Sequence, residues 1–285
     1  MSRGAIASAW FVAWAALSGA CTAGLYCEVD GPVCTCPVGA SCEAPCEAPP
    51  CTLTCEGRNP SCTGACANGE CTCGEDAACA FTCDAPPCEV SCGPGADCSG
   101  SCANGACTCE DGARCEFECD APPCSVACGA TATCSGACAD GSCTCGPGGQ
   151  CLFSCDAPPC SVSCGDMAAC TGRCANGTCT CGPGGACIFE CDTPPCSVEC
   201  EGGNPVCDAT LQEGTVACRR DSDCEVTCVG GACAMTCEPG ASCLLHCPAG
   251  TAGTTCEIES CFGRQISICP RGLAVVCGAP CPPNT

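Results

Sequence analysis

The chain has 285 residues, 53 of them cysteine, with 31 acidic against 8 basic side chains and a net charge of −23. A cysteine content this high marks a disulfide scaffold. Charge of this sign excludes a nucleic-acid binder, which needs a cationic surface, and gives no electrostatic pull toward anionic lipid.

Residues 1–20 read as a signal peptide. Arg3 precedes an apolar run from Ala5 to Leu17, and the small residues Ser18, Gly19 and Ala20 follow, then Cys21. The run is shorter than the ~20 residues a membrane span needs. Two processing routes are open. The stretch "LSGAC" resembles the lipobox of bacterial lipoproteins, with Leu17 four positions before the cysteine where three is usual. That resemblance implies lipidation of Cys21. Cleavage by ordinary signal peptidase after Ala20 is the alternative. Cysteine parity favours lipidation, because 53 is odd and a leftover cysteine in an exported chain needs a use.

Residues 21–41 form a lead-in, and from Cys42 to residue 200 the chain repeats. Cysteine steps from Cys79 run 4, 5, 4, 6, 4, 5, 2, 6, a period of 36 that starts again at Cys115 and Cys151. Fixed periods of this size mean arrays whose units pack on their neighbours. Within a unit, Cys79, Phe81 and Cys83 alternate with Ala80 and Thr82, and Cys88, Val90 and Cys92 alternate with Glu89 and Ser91. Period-two alternation predicts half-buried strands with sulfur and one apolar residue facing inward. "DAPP", "GPGAD", "ANGA" and "EDGAR" supply the turns. The fold class is therefore all-β: an elongated stack of short strand–turn–strand units. Phe81, Phe117, Phe153 and Phe189 fall 36 apart, with Gly100, Gly136 and Gly172 about midway. A β-solenoid coiling every ~18 residues would stack Phe rungs on Gly rungs without overpacking. A linear row of disulfide-locked hairpins also suits the Asn-Gly turns, but it would leave a cysteine and phenylalanine face uncovered.

Cross-links replace a conventional core. Both tryptophans lie before residue 20, and beyond it there are five phenylalanines and one tyrosine. Each disulfide typically contributes ~2–4 kcal/mol. With Asn104-Gly105 as a two-residue hairpin turn, Cys102 would face Cys107 at about 4.5 Å between Cα atoms. The same spacing predicts Cys66–Cys71, Cys138–Cys143 and Cys174–Cys179, and by analogy Cys83–Cys88. Residues 201–247 are degenerate repeats that contain a control. "CDATLQEGTVAC" aligns with "CSGSCANGACTC" so that Leu211 and Val216 stand where Cys102 and Cys107 do. Two cysteines are lost together, as loss of one buried disulfide would require. Arg219 and Arg220 make the one locally basic break in the repeat, the best place for a binding patch. Residues 248–285 lose the period and are expected to cap the array.

Little in the sequence points to catalysis or cofactors. There is no lysine and a single histidine, His246, read as a solvated surface side chain. C-x2-C is missing, which removes thioredoxin-like and zinc-ribbon motifs. C-x-C occurs five times, too few for a metallothionein-like sponge, so metal sequestration is a minor alternative. Asp84, Asp120, Asp156 and Asp192 recur every 36 residues, two rungs apart at roughly 9.6 Å. That is too far to share the ~2.3–2.6 Å ligand shell of calcium, and they read as turn openers. Thr72, Thr108, Thr144 and Thr180 are too sparse for an ice-binding array.

Signal, C-x3-C repeats and proline-rich cysteine tail together resemble the cysteine-rich tandem-repeat lipoproteins of bacteria with large genomes, such as myxobacteria. The resemblance implies a cell-envelope location and no particular activity. The expected function is that of a non-enzymatic lipoprotein held in a membrane by its N-terminal lipid. Its rigid body would serve a structural, adhesive or protective role toward an unknown protein or envelope partner. A secreted or surface binding or inhibitor module is the alternative.

Overall fold

The computed structural model describes residues 26–27, 33–44, 50–249, 251–253 and 255–283, with the side chains at 26, 27, 84, 120 and 156 outside that description. The chain coils as a β-solenoid of about 11 turns. Among the described residues, two sheets of 14 strands each face one another across the core. Strands alternate between them: Ala78–Ala85 in one sheet, Glu89–Cys92 in the other, Asp97–Ala103 back in the first, Ala106–Cys109 in the second. The sheets are named below for their central residues, the phenylalanine sheet and the valine sheet.

Register fixes the core. Phe117 lies between Gly100 and Gly136 in the phenylalanine sheet, and Cys107 lies between Val90 and Val126 in the valine sheet. Inward positions are buried and outward ones half-buried or exposed, as the alternation predicts. The glycines are required by close approach. A β-carbon at Gly172 would sit 3.0 Å from a Val162 γ-carbon and 3.5 Å from the Phe189 ring. Phe81, Phe117, Phe153 and Phe189 are all buried.

The coil is not uniform at 18 residues. Cys79, Cys98 and Cys115 are in register, so rungs of 19 and 17 residues alternate. The difference arises at one corner. Where the phenylalanine strand of a 19-residue rung ends, Cys119 pairs with Cys102 but Ala121 pairs with Ala103, so Asp120 bulges out of the ladder. A cis Pro–Pro pair follows at 86–87, 122–123, 158–159 and 194–195. The 17-residue rungs turn that corner through Asn68, Asn104, Asp140 or Asn176, each at φ near +50°, a conformation that Asn and Asp adopt more readily than other side chains. Asp84, Asp120, Asp156 and Asp192 therefore occupy the bulge column.

The hairpin geometry expected around Asn104-Gly105 does not occur. Ala103 and Ala106 belong to different sheets, and antiparallel pairing among the described residues is confined to the ends of the stack and isolated bridges at the corners. The chain turns a corner instead of reversing, because the backbone donors are used by neighbouring rungs: Asn104 N–H donates to Ala121 O at 2.8 Å. The opposite corner is built the same way. Gly112 N–H donates to Ala130 O, and Thr131 N–H to Pro147 O, both at 2.9 Å.

The expected cap starts later than residue 248. Cys256–Cys261 still pairs in parallel with Cys233–Cys237 and adds one more rung strand. Closure comes from Ala274–Cys277, which pairs antiparallel with Ser242–His246, and from Ile266–Ile268 beyond it.

Candidate functional site

Sulfur organises the molecule. At one corner a bond joins the end of each valine strand to the start of the next phenylalanine strand: Cys73–Cys79, Cys92–Cys98, Cys109–Cys115 and onward. At the other corner the bonds are Cys66–Cys71, Cys83–Cys88, Cys102–Cys107, Cys119–Cys124, Cys138–Cys143, Cys155–Cys160, Cys174–Cys179 and Cys191–Cys196. Cys102 and Cys107 have Cα atoms 6.0 Å apart, wider than the hairpin pair anticipated and inside the range a disulfide spans. Each bond closes a short loop at its own corner. Sulfurs of successive rungs nevertheless lie close, with Cys73, Cys92 and Cys98 Sγ atoms all within 4.8 Å of one another. As disulfides they offer no thiolate, so they would hold a soft metal only after reduction.

Leu211 and Val216 are both buried. Leu211 is in register with Cys191, and Val216 with Val198. Cys102 and Cys107 hold the same positions toward Cys119 and Val126. The aliphatic pair thus fills the volume of the missing bond. Below it, Cys228 and Cys233 resume the series.

The basic break is neutralised by its neighbours. The Arg219 guanidinium lies between two rungs, donating through Nη1 to Glu238 Oε1 at 2.9 Å and through Nε to Glu199 Oε1 at 3.0 Å; Nη2 also meets Glu199. The Arg220 backbone N–H donates to Glu238 Oε2 at 3.2 Å, and its side chain is exposed. Hydrogen bonds from Arg219 hold the Glu238 carboxyl below the ordinary carboxylate range, while Glu199 and then Glu238 raise the guanidinium above its ordinary value. A depressed carboxylate pKa stabilises the fold above the unfolded value and loses that contribution as pH falls through the folded one. The Arg219 bridge is therefore a clamp between rungs at neutral pH.

His246 has a partner that sequence reading missed. Its Nε2 lies 3.0 Å from Glu225 Oε1, on the adjacent strand of the phenylalanine sheet. Twenty-one residues separate the two, and only the register of the degenerate rungs brings them together. Asp192, of the expected aspartate column, meets Arg173 Nε at 3.3 Å, and Arg173 also pairs with Glu190. The outer wall of the phenylalanine sheet carries shallow grooves between columns of outward side chains, one edged by Asp97, Arg114, Glu116 and Gln150. Cys21 lies outside the described residues. Among those described, no helix is long and apolar enough to cross a membrane.

No family model matches the sequence, and neither the curated proteins nor the solved structures provide a match.

Proposed function

We propose that the protein is an exported, non-enzymatic lipoprotein of the bacterial cell envelope. It is tethered through a lipidated Cys21 and presents its solenoid as a stiff spacer, adhesive or protective element. The observation that carries this reading is the stapling of the coil. The regular rungs have a disulfide at each of two corners, a construction that suits an oxidising compartment outside the cytoplasm. Fourteen strands stacked at about 4.8 Å make a body roughly 60 Å long. The odd total of 53 cysteines leaves one to carry lipid.

The test is fractionation of the native chain and of Cys21→Ala. Native protein is expected in the membrane fraction, with an N-terminal peptide bearing the mass of acyl chains on Cys21; the variant is expected in the soluble exported fraction. Membrane association that survives Cys21→Ala, or an unmodified mature N-terminus at residue 21, overturns the tether. A surface binding module is the second reading. It is favoured by the stretch 199–246, where Arg219, Arg220, Glu225 and His246 depart from the regular outward columns.

A further inference from the structure

The two sheets do not end together. The valine sheet stops at Cys256–Cys261, whereas the phenylalanine sheet continues through Ala274–Cys277 to Ile266–Ile268, an outermost strand with one edge unpaired. The extra strands carry on the core columns. Leu245 is in register with Val275, and Val275 with Ile268; Cys243 is in register with Cys277, and Cys277 with Ile266. Directly paired residues point to the same face of a sheet, so Ile266 and Ile268 face the core side. Yet the column goes from 0% exposed at Leu245 and 1% at Val275 to 57% at Ile268, with Ile266 at 42%. Among the described residues, no strand of the opposite sheet covers this inward-facing apolar step, and Gly253 lies close to the Ile268 side chain.

We infer that this step is an interface for a second copy of the same chain, joined tip to tip. A twofold axis parallel to the strands exchanges the sheets while reversing the rod. The overhanging phenylalanine sheet of each copy then continues into the truncated valine sheet of the other. Ile266–Ile268 of one copy meets the edge of its mate's last valine-sheet strand beyond Cys256, whose own N–H and C=O bond to Thr251 and Gly253, and the Ile266 and Ile268 side chains of both copies close a shared core. The contact is isologous and self-limiting, so it gives a dimer and not a fibre. Charge argues for the same occupant. Residues 260–285 contain Arg264 and Arg271 and no Asp or Glu, against 31 acids in the rest of the chain. Neither arginine has a carboxylate partner among the described residues. The strand each would approach on the mate carries the exposed Glu257 and Glu259. The acidic remainder of the two rods extends away from the joint, and charges more than about 8–10 Å off are screened at physiological salt.

The full chain carrying Cys21→Ala, which removes any contribution from lipid, is compared with the same chain also bearing Ile268→Glu. Sedimentation velocity and small-angle scattering are read, and non-reducing mass confirms that both retain their disulfides. The parent is expected to dimerise reversibly with a maximum dimension roughly double that of the monomer, as two rods of ~60 Å end to end require. Ile268→Glu is expected to weaken association at least about tenfold. Arg264→Glu is expected to weaken it too, and adding Glu257→Arg to restore part of the loss. A parent that stays monomeric at its solubility limit, a side-by-side dimer, or a dimer indifferent to Ile268→Glu overturns the joint.

Discussion

At the residue scale, the alternation of large and small side chains decides how rungs stack. The phenylalanine column was legible in the sequence because two independent periods agree on it, two within a strand and 36 along the chain. The glycines between were legible for the same reason. Removing one ring tests whether each is held by its own neighbours. Phe117→Ala deletes a fully buried ring flanked by Gly100 and Gly136, and neither glycine has a side chain to fill the void. The expected cost is about 3–5 kcal/mol. Because rungs interact chiefly with nearest neighbours, the loss should be local. Hydrogen exchange read by mass spectrometry should accelerate in strands 97–103, 114–121 and 133–139 and stay unchanged beyond Gln150. Acceleration over the whole chain would show a more cooperative structure than a stack. The His246–Glu225 contact was invisible beforehand for the converse reason: the rungs holding it have lost the period that reveals register.

At the element scale, corners carry the information that strands lack. A strand of four alternating residues fits a hairpin or a coil equally well, and an Asn at φ near +50° before Gly serves both. What separates them is the partner of the corner N–H, here the next rung, which no local spacing reports. The step of five from Cys102 to Cys107 therefore pointed to the pair for a geometric reason the fold does not use. The degenerate rung offers a way to write the lost element back in. Leu211 and Val216 hold the register positions of Cys102 and Cys107. The double variant Leu211→Cys/Val216→Cys should form a new disulfide on oxidative folding, seen as one extra crosslinked peptide and no additional alkylatable thiol. Either single variant should instead expose one free thiol or scramble its neighbours. Two free thiols in the double variant would show that this corner differs from those above it.

At the scale of the whole molecule, the stagger of the two sheets could not be read from the sequence, because it depends on Ala274–Cys277 pairing backward onto Ser242–His246 ahead of Ile266–Ile268. The locality of the crosslinks has a mechanical meaning. A regular rung has one loop closed over six residues and one closed over five, as in Cys92–Cys98 and Cys102–Cys107. No described bond joins a regular strand to the strand it pairs with in its sheet, so the stack can be unzipped from an end under tension by breaking hydrogen bonds alone. The closed loops, however, cannot pay out their chain. Of ~18 residues per rung, about seven steps remain extensible, together with two crosslink spans of about 6 Å, giving roughly 36 Å against about 60 Å for the reduced rung. Pulled from its two termini in a force spectrometer, the oxidised protein should yield in steps near the shorter length and those of the thiol-reduced protein near the longer. Equal steps in both states would mean that these loops are not closed by disulfides, and an oxidised rod that does not yield would mean that the bonds cross between rungs. A rod built this way gives ground under load in short, recoverable increments while its covalent rings keep every corner folded and ready to restack.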